Sequence, residues 1–387
     1  MYSFIDFTEG TNFYLNLYCF LLYCVLLFVS LKGNVTNLYV QESYKGRTLL
    51  LAGGLLLFAL SSFVGADFFF YYETMSSFSN QAYVDSEAGL EAFYQRLIYY
   101  IDGDYFLFRL IVWGSSLALI ILATRKFGAN IYHTLFVILA GFIVTYSYAR
   151  ATLAMSVFFM GVVIICMAIN NKLKVLPVII GAGIIASTTF FHRSMLPMTA
   201  VATLWLFLPW KKMLSKYSLW LFPLFVAVFY VVLKVAFGDL FALANVIDDE
   251  TGILDKAEFY SEQDVAEANA NGYIRLAIHY MVFYLPMLVL SNTFRSEQVL
   301  QLVEKKCIWL YQITYLIFAF ATAFALLDFD SNVLFKRYLY MSFIPLAILI
   351  AYLKDSGMLP IKRYYWIVTC FILCNLFQLF AFVYSVL

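Results

Sequence analysis

Windows of about twenty mostly apolar residues, the helix length needed to cross about 30 Å of hydrocarbon, recur along the whole of this 387-residue chain. They fall near 13–31, 49–66, 105–123, 131–148, 152–169, 175–191, 195–210, 218–236, 277–291, 308–327, 338–353 and 364–385. A bilayer offers no water to satisfy exposed backbone groups, so each window reads as a helix that closes its own hydrogen bonds. The expected fold is all-α: a polytopic membrane protein of about 12 transmembrane helices, with residues 1–387 forming a single integral membrane domain. Only 13% of residues are charged and 64% are apolar, against about 25% and 45–50% in soluble domains. That balance excludes a soluble enzyme held by one anchor. A net charge of +1 without a long basic stripe also excludes a nucleic-acid partner.

Sidedness follows from the charges. Met1 to Asn12 contains Asp6 and Glu9 but neither Lys nor Arg, unlike the basic start of a cleavable signal peptide, which places the N-terminus outside. Twelve crossings return the C-terminus to the same side. The inner connections are then 32–48, 124–130, 170–174, 211–217, 292–307 and 354–363, and they hold sixteen of the 25 Lys and Arg but four of the 24 acids. The positive-inside rule supports this orientation. Two outer segments are long. In 67–104, Leu90, Phe93, Leu97 and Ile101 recur at helical spacing and predict a helix lying on the outer surface. In 238–275 the acids Asp248, Asp249, Glu250, Asp255, Glu258, Glu262, Asp264 and Glu267 predict a hydrophilic loop or lid. The six cysteines lie within or beside apolar runs, so no disulfide framework or zinc site is expected.

The outer basic residues differ in kind from the inner ones. Four of the sixteen inner residues are Arg, whereas outside Arg96, Arg109, Arg150, Arg193, Arg275 and Arg337 outnumber Lys234, Lys256 and Lys336. Lysine suffices to set topology; the planar guanidinium fork is favoured where carboxylate or phosphate is held bidentately. Arg150 has no acid within thirty positions on either side, so lipid headgroups, a distant carboxylate or a bound anion must satisfy it. His192 adjoins Arg193 and serves either as a helix-end cap or as a proton acceptor. Asp67 and Glu87 are N-caps, solvated loop residues or general bases. Asp102-Gly103-Asp104 and Asp328-Phe329-Asp330 have a divalent-metal spacing but no third ligand, so no metal site is expected. His279, four residues after Arg275, and His133, at an inner helix end, read as packed histidines. The outward-facing arginines suit an anionic lipid, because the acidic outer face repels a soluble anion whereas a lipid-linked diphosphate enters sideways.

Gly65-Ala66-Asp67 with Tyr71 and Tyr72, then Glu87-Ala88-Gly89-Leu90, then Tyr148-Ala149-Arg150-Ala151-Thr152-Leu153-Ala154, then Phe191-His192-Arg193-Ser194 resemble, in order, the pattern of the EpsG-like, Wzy-type polysaccharide polymerases. The motifs span about residues 60 to 205, and the span layout extends the likeness over the chain. Ala88 stands where the family usually has Pro, and Arg193 adds a charge after the histidine. The resemblance implies a bacterial inner-membrane glycosyltransferase of GT-C-like architecture. It would join undecaprenyl-diphosphate-linked oligosaccharide repeats, donor to acceptor, at the periplasmic face, building capsule, exopolysaccharide or O-antigen. Arg150, Arg193, Arg337 and Arg275 would bind the diphosphate; His192, Asp67 or Glu87 would accept the proton; Tyr71, Tyr72, Tyr148 and Ser194 would support them. No cofactor is implied, because the activated bond is in the donor. A flippase and a chain-length regulator are the implied partners beside membrane lipid. A lipid-linked glycan ligase is the alternative within this fold range. A flippase or transporter of lipid-linked sugars is disfavoured by the scarcity of mid-span charge, and an O-acyltransferase by the lack of an inward route for an acyl donor.

Overall fold

The long apolar runs of this chain coil into helices that close their own backbone hydrogen bonds. The computed structural model describes residues 9–36, 44–61, 75, 92–141, 149–170, 175–192, 195–208, 211–244, 270–327 and 338–384. Among them the regular elements are helices: α1 (Glu9–Thr36), α2 (Tyr44–Ser61), α3 (Ala92–Tyr100), α4 (Tyr105–Phe127), α5 (Ile131–Gly141), α6 (Ala149–Asn170), α7 (Val175–Ser187), α8 (Leu196–Phe207), α9 (Lys211–Ala244), α10 (Ala270–Arg295), α11 (Glu297–Leu302), α12 (Lys305–Leu327), α13 (Phe343–Asp355) and α14 (Ile361–Tyr384). A helix covers part of each apolar window. Five described stretches, Tyr105–Phe127, Arg150–Asn170, Lys216–Val235, Lys305–Leu326 and Tyr338–Asp355, are long and apolar enough to cross a membrane. The acidic segment forms helix at both edges, up to Ala244 and from Ala270; its centre, 245–269, lies outside the described residues.

Two compact units divide the chain. The first contains 1–84, 91–195 and 347–387, the second 85–90 and 196–346. In the first unit α5 is the centre: every residue from Tyr132 to Gly141 is buried. Its neighbours tie to it through polar groups that would otherwise be stranded in hydrocarbon. Tyr132 donates to the Ser30 carbonyl of α1 at 2.9 Å, and the Asn375 amide of α14 donates to the Ala140 carbonyl. The α4 helix starts where the Asp104 carboxylate accepts the Leu107 N–H at 3.0 Å, an N-cap. It stops at Gly128, whose φ of 84° lets its N–H fold back onto the Thr124 and Arg125 carbonyls at 3.1 Å, the left-handed ending that favours glycine. Asp104 is therefore a capping group, which accounts for one member of the Asp102/Asp104 pair.

A close crossing joins α6 to α7. A Cβ added at Gly161 would lie 2.7 Å from the Gly181 carbonyl oxygen, and one at Gly181 would lie 2.8 Å from that of Gly161. The two backbones meet because neither residue has a side chain. In the second unit α9 runs along α12 and beside α10. It kinks at Tyr217, where φ is −114° and ψ is 21°. The Tyr315 hydroxyl donates to the Ser218 carbonyl next to the kink at 2.6 Å, and Tyr311 donates to the Ser218 hydroxyl at 2.9 Å. The Trp205 indole donates to the Trp309 carbonyl at 3.1 Å, so Trp309 is a packing partner of α8 as well as an aromatic residue beside a basic cluster.

Candidate functional site

Within 67–104 the described residues include α3, and Phe93, Leu97 and Ile101 of the expected stripe are not its most buried side; Leu90 lies outside the described residues. Tyr94 and Ile98 are buried, whereas Phe93 is 39% exposed. The reason is tertiary: Tyr94 has a partner 56 residues away. Its hydroxyl donates to the Arg150 carbonyl at 3.2 Å, and the Arg150 guanidinium carbon lies 5.8 Å from the centre of its ring, within cation–π range. The Tyr94 ring also meets Phe108, near the start of α4, at 6.0 Å. One residue earlier, Phe93 packs edge-on against Phe191 at 4.8 Å.

These contacts bring three helix ends together. The starts of α4 and α6 and the end of α7 gather under α3, because Phe93 and Tyr94 project from it in adjacent directions. The α6 helix opens with Ala149 and Arg150 and no acid in its first turn. A cation there opposes the positive end of the helix dipole, a cost of about 0.3–1 kcal/mol when exposed. Helix stability therefore does not explain Arg150. The same position combines a helix N-terminus with a guanidinium, both suited to an anion.

Beyond Phe191 comes His192. The α7 helix tightens into a 3₁₀ turn over Thr188–Phe190, and the His192 N–H donates to the Thr188 carbonyl at 3.0 Å while its own carbonyl accepts from Met195 at 2.9 Å. Its side chain is buried. Arg109 also belongs to this end: it is buried, donates to the Ala59 carbonyl of α2, and lies 5.8 Å from the Tyr105 ring centre. At the other end of the unit, Phe127 packs on Tyr352 at 5.5 Å, near the exposed cations Arg125 and Lys126, and Lys362 and Arg363 open α14.

Of the residues singled out in the sequence, Arg150 meets Tyr94 of α3, and Phe191, the residue before His192, meets the adjacent Phe93. Arg275 lies in α10 of the second unit, with its side chain outside the described set. Asp67, Tyr71, Tyr72, Glu87, Tyr148, Arg193, Ser194 and Arg337 lie outside the described residues. Among the described residues no cluster of three His, Cys, Asp or Glu is placed to hold a metal ion.

A sequence model of the EpsG family matches residues 47–387. The chain belongs to the EpsG family. The match covers all of the motifs from Gly65 to Ser194 and the second unit besides. Comparison with curated proteins and with solved structures returns no match. Membership in the EpsG family, with the long apolar helices, makes this an all-helical membrane protein and points to a polymerase role in polysaccharide biosynthesis.

Two features of this EpsG-family chain escape a linear reading. Tyr94 was one of many aromatics, and only its contact with Arg150 distinguishes it. His133 read as an ordinary packed histidine, yet its Nδ1 lies 2.8 Å from the Asp355 carboxylate and its Nε2 lies 2.5 Å from the Lys354 ammonium. With the Tyr364 ring 5.1 Å below that ammonium, the group ties α5 to α13 and α14. A separation of 221 residues between His133 and Lys354 leaves no trace in local pattern.

Proposed function

We propose that this protein polymerises undecaprenyl-diphosphate-linked oligosaccharide repeats at the periplasmic face of the bacterial inner membrane, as a glycosyltransferase with a lipid-diphosphate donor. The observation that carries this reading is the bracing of Arg150 by Tyr94 at the helix ends where His192 also sits. The acceptor hydroxyl oxygen attacks the anomeric carbon of the donor, the bond from that carbon to the diphosphate oxygen breaks, and the diphosphate leaves with the electron pair. Arg150, held over an aromatic face at a helix start, meets the negative charge that grows on the departing oxygen; Arg193, Arg337 and Arg275 add to it. Such preorganised electrostatic stabilisation costs no reorganisation as the bond breaks. His192, Asp67 or Glu87 takes the hydroxyl proton, with Tyr71, Tyr72, Tyr148 and Ser194 in support.

The accompanying topology has twelve crossings in a GT-C-like arrangement, with both termini periplasmic. Exposed Arg125, Lys126, Lys362 and Arg363 on the opposite end of the first unit favour that orientation. A flippase supplying the donor and a chain-length regulator complete the proposal. The test is reconstitution in liposomes with a synthetic lipid-diphosphate oligosaccharide. A ladder of products with stoichiometric release of lipid diphosphate supports polymerisation. Transfer of a single repeat to a different lipid acceptor, without a ladder, assigns the protein to the ligases. Full activity in His192→Ala moves the proton acceptor to Asp67 or Glu87.

A further inference from the structure

Arg109 is buried inside an apolar helix, and its place there is not explained by the Arg150 and His192 site. Its guanidinium donates to the carbonyl of Ala59, in the last turn of α2, and the Tyr105 ring flanks it. The same pair of helices encloses a cavity of about 20 Å³, lined by Leu55, Leu56 and Ala59 of α2, by Trp113, Ser116, Leu117 and Ile120 of α4, and by Ile138 of α5. The four α4 residues follow Arg109 by 4, 7, 8 and 11 positions, so they continue the arginine's own face down the helix. Ala59 belongs to both features, giving its carbonyl to Arg109 and lining the cavity.

We propose that this seam between α2 and α4 seats the polyisoprenoid tail of the lipid-linked diphosphate, with Arg109 marking the headgroup end. The inference rests on the reading of the protein as a lipid-diphosphate glycosyltransferase. Leu56 and Leu117 are part-exposed while Leu55, Ala59, Trp113 and Ile120 are buried, so the mouth of the seam is apolar. Its wall is hydrocarbon in character: the Ser116 hydroxyl is committed to the Val112 carbonyl of its own helix at 2.7 Å. The cavity is roughly the size of a single small group, which suits a branch methyl of a chain lying along the seam. A cation sunk in an apolar helix at the top of an apolar groove complements a molecule with an anionic head and a long branched tail.

The experiment uses the full chain in nanodiscs and two probes, a C55 polyisoprenyl diphosphate and inorganic diphosphate. Leu117→Trp and Leu56→Trp fill the mouth of the seam, and Leu122→Trp, on an exposed part of α4 outside the cavity, is the control. The seam variants should weaken binding of the long-chain diphosphate about tenfold, leaving inorganic diphosphate binding and the control unchanged. Parental long-chain affinity in both seam variants overturns the proposal. So does full competition by phosphatidylglycerol, which would make the seam a site for bulk lipid. Photocrosslinking the unmodified protein with a tail-labelled diphosphate needs no variant: labels within 55–59 and 113–120 support the seam, and labels confined elsewhere refute it. Binding loss in the seam variants of a protein that makes no polymer upholds the seam while overturning the polymerase reading; polymer synthesis with unaltered tail binding does the reverse.

Discussion

The hydroxyl of Tyr94 donates to the carbonyl of Arg150 at 3.2 Å, and the ring of the same tyrosine carries that arginine's guanidinium 5.8 Å from its centre. One side chain thus fixes both the backbone and the charged tip of Arg150. Because Phe93 simultaneously holds Phe191, α3 acts as a clamp on two helix ends that are distant in sequence.

Separating the two roles of Tyr94 gives the first prediction. Tyr94→Phe keeps the ring and removes one hydrogen bond, about 0.5–1.5 kcal/mol, so activity should fall by several-fold at most. Tyr94→Ala removes a fully buried aromatic, a loss of about 3–5 kcal/mol, and should abolish polymer synthesis. Thermal unfolding in detergent and product ladders measure the two effects side by side. Equal activity in the two variants would show that the ring does not orient Arg150.

Arg150 opens α6 and His192 follows the end of α7, the two helices that cross at Gly161 and Gly181. Gly161→Ala places a methyl within 2.7 Å of the Gly181 carbonyl, so the helices must separate. We expect a lower Tm, by an amount corresponding to about 1–3 kcal/mol of overpacking, with polymerisation reduced further than stability alone accounts for. Gly183→Ala, where an added methyl meets nothing within 4 Å, should be close to neutral and serves as the comparison.

The His133 group predicts a structural effect without a catalytic one. Replacing His133 by Phe keeps an aromatic ring but leaves the buried face of Lys354 beside Asp355 without the imidazole that joins them. Loss of a partner for buried polar groups costs about 1–3 kcal/mol. Tm should drop, while polymer synthesis at a permissive temperature persists. An active-site pH profile altered by His133→Phe would contradict this assignment.

A pH effect is expected from the exposed pair Lys216 and Glu297, 2.7 Å apart. The hydrogen bond and charge of Lys216 hold the Glu297 carboxyl below the usual carboxylate range. A lowered native pKa contributes stability above the unfolded value, about 4.3, and that contribution is lost as pH falls through the native value. Glu297→Gln should therefore be slightly less stable than the parent at neutral pH and indistinguishable from it in strong acid. High salt should shrink the difference, as it does for exposed ion pairs.

Much of the fold was legible because hydrocarbon forces each segment to satisfy its own backbone. Helix covers part of every apolar window, whereas Asp104, which the sequence offers as half of a metal-spacing pair, proves to be the N-cap of α4. The faces of helices were less legible. In α3 both sides are aromatic or aliphatic, so hydropathy could not choose Tyr94 over Phe93; the choice was made by Arg150. The kink at Tyr217 and the seam under Arg109 likewise depend on residues from other helices. Arg150 stood out in sequence because no acid lies near it, but what orients its guanidinium became visible only in three dimensions.

The account stands or falls on the guanidinium fork of Arg150 gripping a diphosphate. Arg150→Lys keeps the charge and removes the paired donors. In liposomes supplied with the lipid-diphosphate oligosaccharide, the account predicts that this variant forms polymer at least about tenfold more slowly, ~1.4 kcal/mol of lost transition-state stabilisation, with unchanged Tm. Polymer made at the parental rate by Arg150→Lys would contradict it.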